Sequence, residues 1–173
     1  MLEDKILNVN FSGFAKYDED NYIDLSQPLG VVGIIAPNRS GKSTVVNAIT
    51  QCIFNDIAFN IKPNELINTR RDQASISIDL LYDESIYTIN KTIRKRGKEV
   101  GDYDQDFKYS IDTEIFENKN GVITEHHKNL TGKEDVKKFI ASMFGTIDDF
   151  ILMSYMPQGM SGGCIDQMKS TGR

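Results

Sequence analysis

The chain has 173 residues, of which 39% are hydrophobic and 26% charged, and a formal net charge of -5. That composition suits one soluble domain with a real core, and it sets aside a disordered chain or a strongly basic nucleic-acid binder, although a local basic patch stays possible. No apolar run approaches the length that spans a bilayer, the N-terminus is not a secretory signal, and Cys52 and Cys164 fit neither a disulfide framework nor a metal spacing, so a reduced cytosolic setting is expected.

In chain order, residues 5–11 predict a strand with Leu7, Val9 and Phe11 on one face, and a second short strand is expected near residues 22–25. Residues 30–35, GVVGII, predict a central strand covered on both faces. Over residues 42–54 the period changes, and Val45, Ala48, Ile49, Cys52 and Ile53 share one helical face. Residues 55–72 read as loop with a short helical turn, because Pro63 and several Asn residues break the pattern.

Three alternating strands follow over residues 75–81, 85–92 and 107–116, the first two joined across YDES. Residues 118–121 are a turn into a short segment around Val122. A helix is then expected with Thr131 as N-cap, Glu134 completing a capping box, a buried stripe of Val136, Phe139, Ile140 and Met143, and Gly145 as the stop. Residues 150–155 are apolar and end at Pro157, and the tail, residues 161–173, is polar with no clear element. The expected whole is one α/β domain with a mixed sheet: a parallel part carries the loop after residue 35, and an antiparallel flap covers residues 74–116.

Between the expected central strand and helix lies APNRSGKST, residues 36–44. Ala36, Gly41, Lys42 and Ser43 satisfy the pattern of a phosphate-binding loop, in which backbone amides and a helix N-terminus face phosphate oxygens. Gly41 permits close approach of backbone to phosphate, Lys42 reaches the β and γ phosphates, Ser43 offers a hydroxyl to Mg2+, and Thr44 can donate to the α phosphate. The candidate nucleotide contacts are therefore Arg39, Ser40, Gly41, Lys42, Ser43 and Thr44. Ala36 and Arg39 stand where many such loops have Gly, which matters only where the backbone needs positive φ. Arg39 reads equally as a solvated side chain.

Two groups of basic residues stand out: Arg70 with Arg71, and Lys91, Arg94, Lys95, Arg96 and Lys98 at a strand end. The second could meet nucleic-acid phosphates, with a solvated hairpin tip as the alternative. His126 and His127 have no third ligand nearby, Cys52 reads as core, and Asp79, Asp83 and Glu84 read as solvent-facing carboxylates on a flap strand and turn.

Residues 7–14, 25–49, 74–94 and 150–159 together resemble the N-terminal ATPase lobe of the Rad50, SbcC and SMC-like family, closest to the bacterial and phage recombination-nuclease ATPases. The resemblance implies a P-loop NTPase fold of the ABC-type head, with ATP and Mg2+ as cofactors. It makes Gln158, in PQG, a catalytic and Mg2+-approaching residue alongside Lys42, and makes Asn38 a residue orienting the γ phosphate region. This chain has Ser12 where the family has a basic residue. The family's catalytic Asp and Glu belong to a C-terminal lobe beyond a coiled coil, so residues 1–173 are expected to be an N-terminal lobe ending near where that coiled coil begins. MSGG, residues 160–163, is similar to a signature motif of the opposite lobe but reads here as a glycine-rich loop.

The implied partners are a C-terminal ATPase lobe in cis or trans, a second head forming a homodimer, an Mre11/SbcD-like nuclease and double-stranded DNA, with no membrane. The implied place is the cytoplasm of a bacterial or phage-infected cell, or its nucleoid. The implied role is DNA double-strand break repair or recombination with ATP-driven dimerisation of heads, the isolated chain being inactive as an ATPase. The alternatives are a nucleotide-binding module that does not hydrolyse, or an SMC/RecF-like DNA-organising lobe.

Overall fold

The computed structural model describes residues 5–27, 32–58, 61, 65–96, 109–128, 130 and 133–154. Six strands form one sheet: β1 (Lys5–Ser12), β2 (Asn21–Asp24), β3 (Gln73–Tyr82), β4 (Ser85–Lys95), β5 (Tyr109–Lys119) and β6 (Val122–Glu125). Their spatial order is β2-β1-β3-β4-β5-β6, and every neighbouring pair is antiparallel. Strict alternation sends Val9, Phe11, Ala74, Ile76, Ile78, Leu80, Ile89, Ile93 and Ile115 to one buried face. Each fully buried Ile there contributes about 1.5–3 kcal/mol relative to exposure.

Two-residue turns fix the register. Asp83 and Glu84 join β3 to β4 with φ of 46° and 63°, and Asn120 and Gly121 join β5 to β6 with φ of 54° and 84°. Positive φ at both central residues gives the turn a twist that matches its strands.

The buried face is covered by α1 (Lys42–Phe54) and α2 (Lys133–Phe144), with α3 (Ile147–Ser154) packed on α2. Val45, Ala48, Cys52 and Ile53 of α1 belong to the common core, as expected of the helical face. Asn55 in a left-handed conformation ends α1, its N–H bonded to Gln51 O. Gly145, at φ 69°, ends α2 with its N–H on Ala141 O at 3.0 Å. Thr146 and Asp149 then cap α3 reciprocally, Thr146 N–H donating to Asp149 Oδ2 and Asp149 N–H to Thr146 Oγ1. No helix among the described residues is long and apolar enough to cross a membrane.

Several expectations change. The strands expected as a flap are the middle of the sheet, because β3 pairs with β1 as well as β4. The parallel part is not found among the described residues: residues 32–35 lie in no strand and are exposed. Among the described residues no strand pairs with them, and Ile35 is 97% exposed despite its apolar side chain. Residues 150–154 lie in a helix rather than an undefined apolar run. Thr131, Pro157, residues 160–163 and Cys164 lie outside the described residues.

Lys91 departs most sharply from its surface reading. It takes an inner-face position on β4, is 2% exposed, and its Nζ donates to Gln51 O at the end of α1 (2.7 Å). A cation at that end suits the helix dipole, yet burial still pulls the Lys91 ammonium down to about 8. The unfolded chain keeps this proton up to pH 10.5 and the folded chain only up to about 8, so this group's contribution to stability rises with pH across that interval. Urea denaturation of wild type and Lys91→Met should show wild type gaining on the variant there by up to about 1.4 kcal/mol per pH unit. A difference independent of pH would contradict this account.

Candidate phosphate-binding site

The site begins at the end of β1. Gly13, at φ 62°, turns the chain where an added Cβ would lie 2.4 Å from Gln73 O, so no other residue fits. Phe14 is buried and bridges Ile67, while Asn68 N–H donates to Gly13 O (2.8 Å) and Asn68 Nδ2 to Ala15 O (2.9 Å). This pinned turn delivers Lys16 and Tyr17 to the loop. The Tyr17 ring meets Phe11 of β1 edge-on at 5.0 Å and packs against Gly41, where an added Cβ would lie 3.1 Å from the ring. Tyr17 O–H donates to Gly41 O, and Lys16 Nζ to Arg39 O, both at 3.4 Å.

The loop itself turns on two left-handed residues, Arg39 at φ 66° and Gly41 at φ 102°. Ala36 has no positive φ, so the missing glycine there costs the backbone nothing. Arg39 does occupy a conformation that disfavours an L side chain, by roughly 1–2 kcal/mol. Lys42 folds back over the loop, its Nζ on Ala36 O (2.7 Å) and Pro37 O (2.9 Å). Helix α1 opens at Gly41 with no side-chain cap and no acidic residue in its first turn. No side chain of its own first turn therefore offsets its positive end.

Asn38, Arg39, Ser40 and Ser43 are exposed around this rim, Lys42 is half-buried and Thr44 is buried. The structure thus brings residues 38–44 together, and adds Lys16 and Tyr17, which sequence reading missed. Their signal was faint: Lys16 lies four residues beyond Ser12, where the resembled family has its basic residue. No group of three or more His, Cys, Asp or Glu positioned to hold a metal occurs among the described residues. A cation here would need oxygens from a ligand beside the exposed Ser43 hydroxyl. Two hollows among the described residues contain no loop residue. One of about 500 Å3 lies on the sheet's outer face, and one of about 370 Å3 lies between α1 and α2. The loop is instead an open, exposed rim.

Other candidate residues are placed elsewhere. Gln158 and Lys98 lie outside the described residues. Arg94 is paired with Asp112 across β4 and β5, Lys95 donates to Arg71 O at 2.5 Å, and Arg96 is exposed. Asp79 is half-buried on the outer face, accepting from Asn8 Nδ2 (2.8 Å) and Thr88 Oγ1 (2.6 Å) rather than simply facing solvent. His126 bonds Glu117 at 2.8 Å and stacks on Phe139; this contact, with Ser85 O–H as second donor, holds the Glu117 carboxyl below its usual range. Cys52 is core, as expected, and burial pushes its thiol up to about 12.

A family model described as an AAA domain matches residues 8–169. An uncharacterized protein of Acanthamoeba polyphaga mimivirus is 28% identical over 165 residues. The match covers 94% of this chain and 12% of the viral protein, so the chain spans a small part of that relative's length.

Two substitutions test the loop's backbone. Gly41→Ala should cost roughly 1–3 kcal/mol in urea denaturation, from strained φ and the Tyr17 contact. Ala36→Gly should leave stability within about 0.5 kcal/mol of wild type. Equal effects from the two would reject the geometry described.

Proposed function

The chain belongs to the AAA-domain family, and from that premise we propose that it is the Mg-ATP-binding half of a DNA double-strand break repair or recombination ATPase. The observation that carries the nucleotide part is Lys42 lying across the loop carbonyls beside an uncapped helix N-terminus. On binding, Lys42 would exchange Ala36 O and Pro37 O for β and γ phosphate oxygens, and the first amides of α1 would complete the cradle. Ser43 would hold Mg2+, which supplies charge neutralisation between the phosphates. Asn38 and Gln158 take the γ-phosphate and water-side roles that the resemblance gives them.

Hydrolysis in this reading needs a C-terminal lobe. The exposed apolar side chains of Val32, Ile34 and Ile35, immediately before the loop, support a covering surface from such a lobe. A second head, an Mre11/SbcD-like nuclease and duplex DNA complete the assembly, in the cytoplasm or nucleoid. The DNA contact falls to the strand end carrying Lys95 and Arg96, with Lys98 beyond it. A second reading, a module that holds nucleotide without turning it over, is favoured by Asp79. That carboxylate is tied to Asn8 and Thr88 on the outer face, opposite the face that seats α1, and so does not serve a water at the loop.

Calorimetric titration with Mg-ATP should show binding by wild type and a loss of about tenfold to a hundredfold in Lys42→Ala, the worth of a charge-assisted contact. Equal affinity in the two proteins would reject the site. Separately, Lys95→Gln/Arg96→Gln should weaken duplex binding and reduce its salt slope by about two.

A further inference from the structure

The two basic groups that are separate in sequence meet at one corner of the sheet. Lys95 N–H donates to Asp72 O at 3.0 Å, and Lys95 Nζ to Arg71 O at 2.5 Å. Arg70 and Arg71 are exposed, yet both guanidiniums turn to a single carboxylate, Asp18, at 3.6 Å and 2.5 Å. Asp18 is held below the usual carboxylate range, first by the Arg71 hydrogen bond, and Glu19 and Asp20 add to the negative potential at Arg71. The two residues before Asp18 are Lys16 and Tyr17, which bond Arg39 O and Gly41 O of the phosphate loop. One stretch, residues 16–20, is therefore fastened to the loop at one end and to the arginine pair at the other.

We propose that residues 16–20 form an acidic strap that occupies Arg70 and Arg71 in place of a nucleic-acid phosphate backbone, and yields them when phosphate fills the loop. A carboxylate shared by two guanidiniums has the shape and charge of a phosphodiester's oxygen pair. Exposed ion pairs of this kind hold weakly, so a polyanion can displace them. Phosphate in the loop competes for the Lys16 ammonium now resting on Arg39 O, and Tyr17 moves with Gly41 against which it packs. The strap then shifts at the end that carries Asp18. The proposal rests on the DNA-binding reading above, and moves the regulated part of that contact from the hairpin end to Arg70 and Arg71.

The test is fluorescence anisotropy of labelled duplex DNA, with and without Mg-ATP. Without nucleotide, Asp18→Asn should bind about five- to tenfold tighter than wild type, with a salt slope steeper by about one to two. Mg-ATP should bring wild type to that level and add little to the variant. Arg70→Gln/Arg71→Gln should abolish the gain in either background. Unchanged affinity in Asp18→Asn overturns the strap. If only Lys95→Gln/Arg96→Gln loses binding, the strap fails and the DNA reading stands; if no protein binds duplex, both fail. Should Asp18→Asn not fold, Glu19→Gln/Asp20→Asn removes shielding without breaking the Asp18 pair, and must tighten binding about twofold for the proposal to survive.

Discussion

Helix α1 is buried on almost every side, and that burial decides where the site can be. Ala48 and Cys52 have no exposed surface, and Thr44 to Ala48 are all buried. The helix seats its apolar side on β3 and β4 and is tied at its far end by Lys91, so it has little freedom to slide. A fixed helix means a fixed N-terminus, and the phosphate loop is whatever backbone leads into it. Tyr17 links Phe11 of β1 to Gly41 and so couples the turn after β1 to the loop. The rigid sheet thus reaches the loop from two directions, through α1 and through the turn after β1.

Among the described residues, the opposite side of the loop has no such support. Residues 32–35 approach it exposed and outside any described strand, although their composition is that of a covered strand. Arg39 adds local strain at its left-handed position. A half-supported loop can change shape when phosphate arrives, and strain at such places is commonly tied to ligand response. A held helix on one side and an exposed approach on the other are the arrangement that the proposed phosphate binding would use.

Much of this was legible in the chain. Alternation in ASISIDLL gave β3 and its inner face, and Asn-Gly at 120–121 gave the turn before β6, since both signals are local. The face of α1 read correctly because the 3.6-residue period survives in Val45, Ala48, Cys52 and Ile53. Residues 32–35 departed from the expected strand because an apolar run reports only that a segment wants cover. Lys91 misled because its charge argued for surface, while its position in the β4 alternation argued for core and prevailed. Lys16, Tyr17 and Asp18 were hard to read as site residues, because their positions come from a turn pinned by Asn68 more than fifty residues away. Gln158 and Lys98 stay expectations of the sequence alone, since they lie outside the described residues.

The core position of Cys52 has a practical corollary. Its thiol is enclosed between α1 and the sheet, its S–H directed at Ile89 O, and its pKa is pushed up to about 12. An alkylating reagent needs both access and thiolate, and the folded arrangement denies it both. Covalent capture of this sulfur can therefore proceed only when α1 lifts from the sheet, so its rate is a clock for that opening. With the other cysteine replaced, one sulfur would report how often the helix that bears the loop lets go, in solution and with no probe attached beforehand.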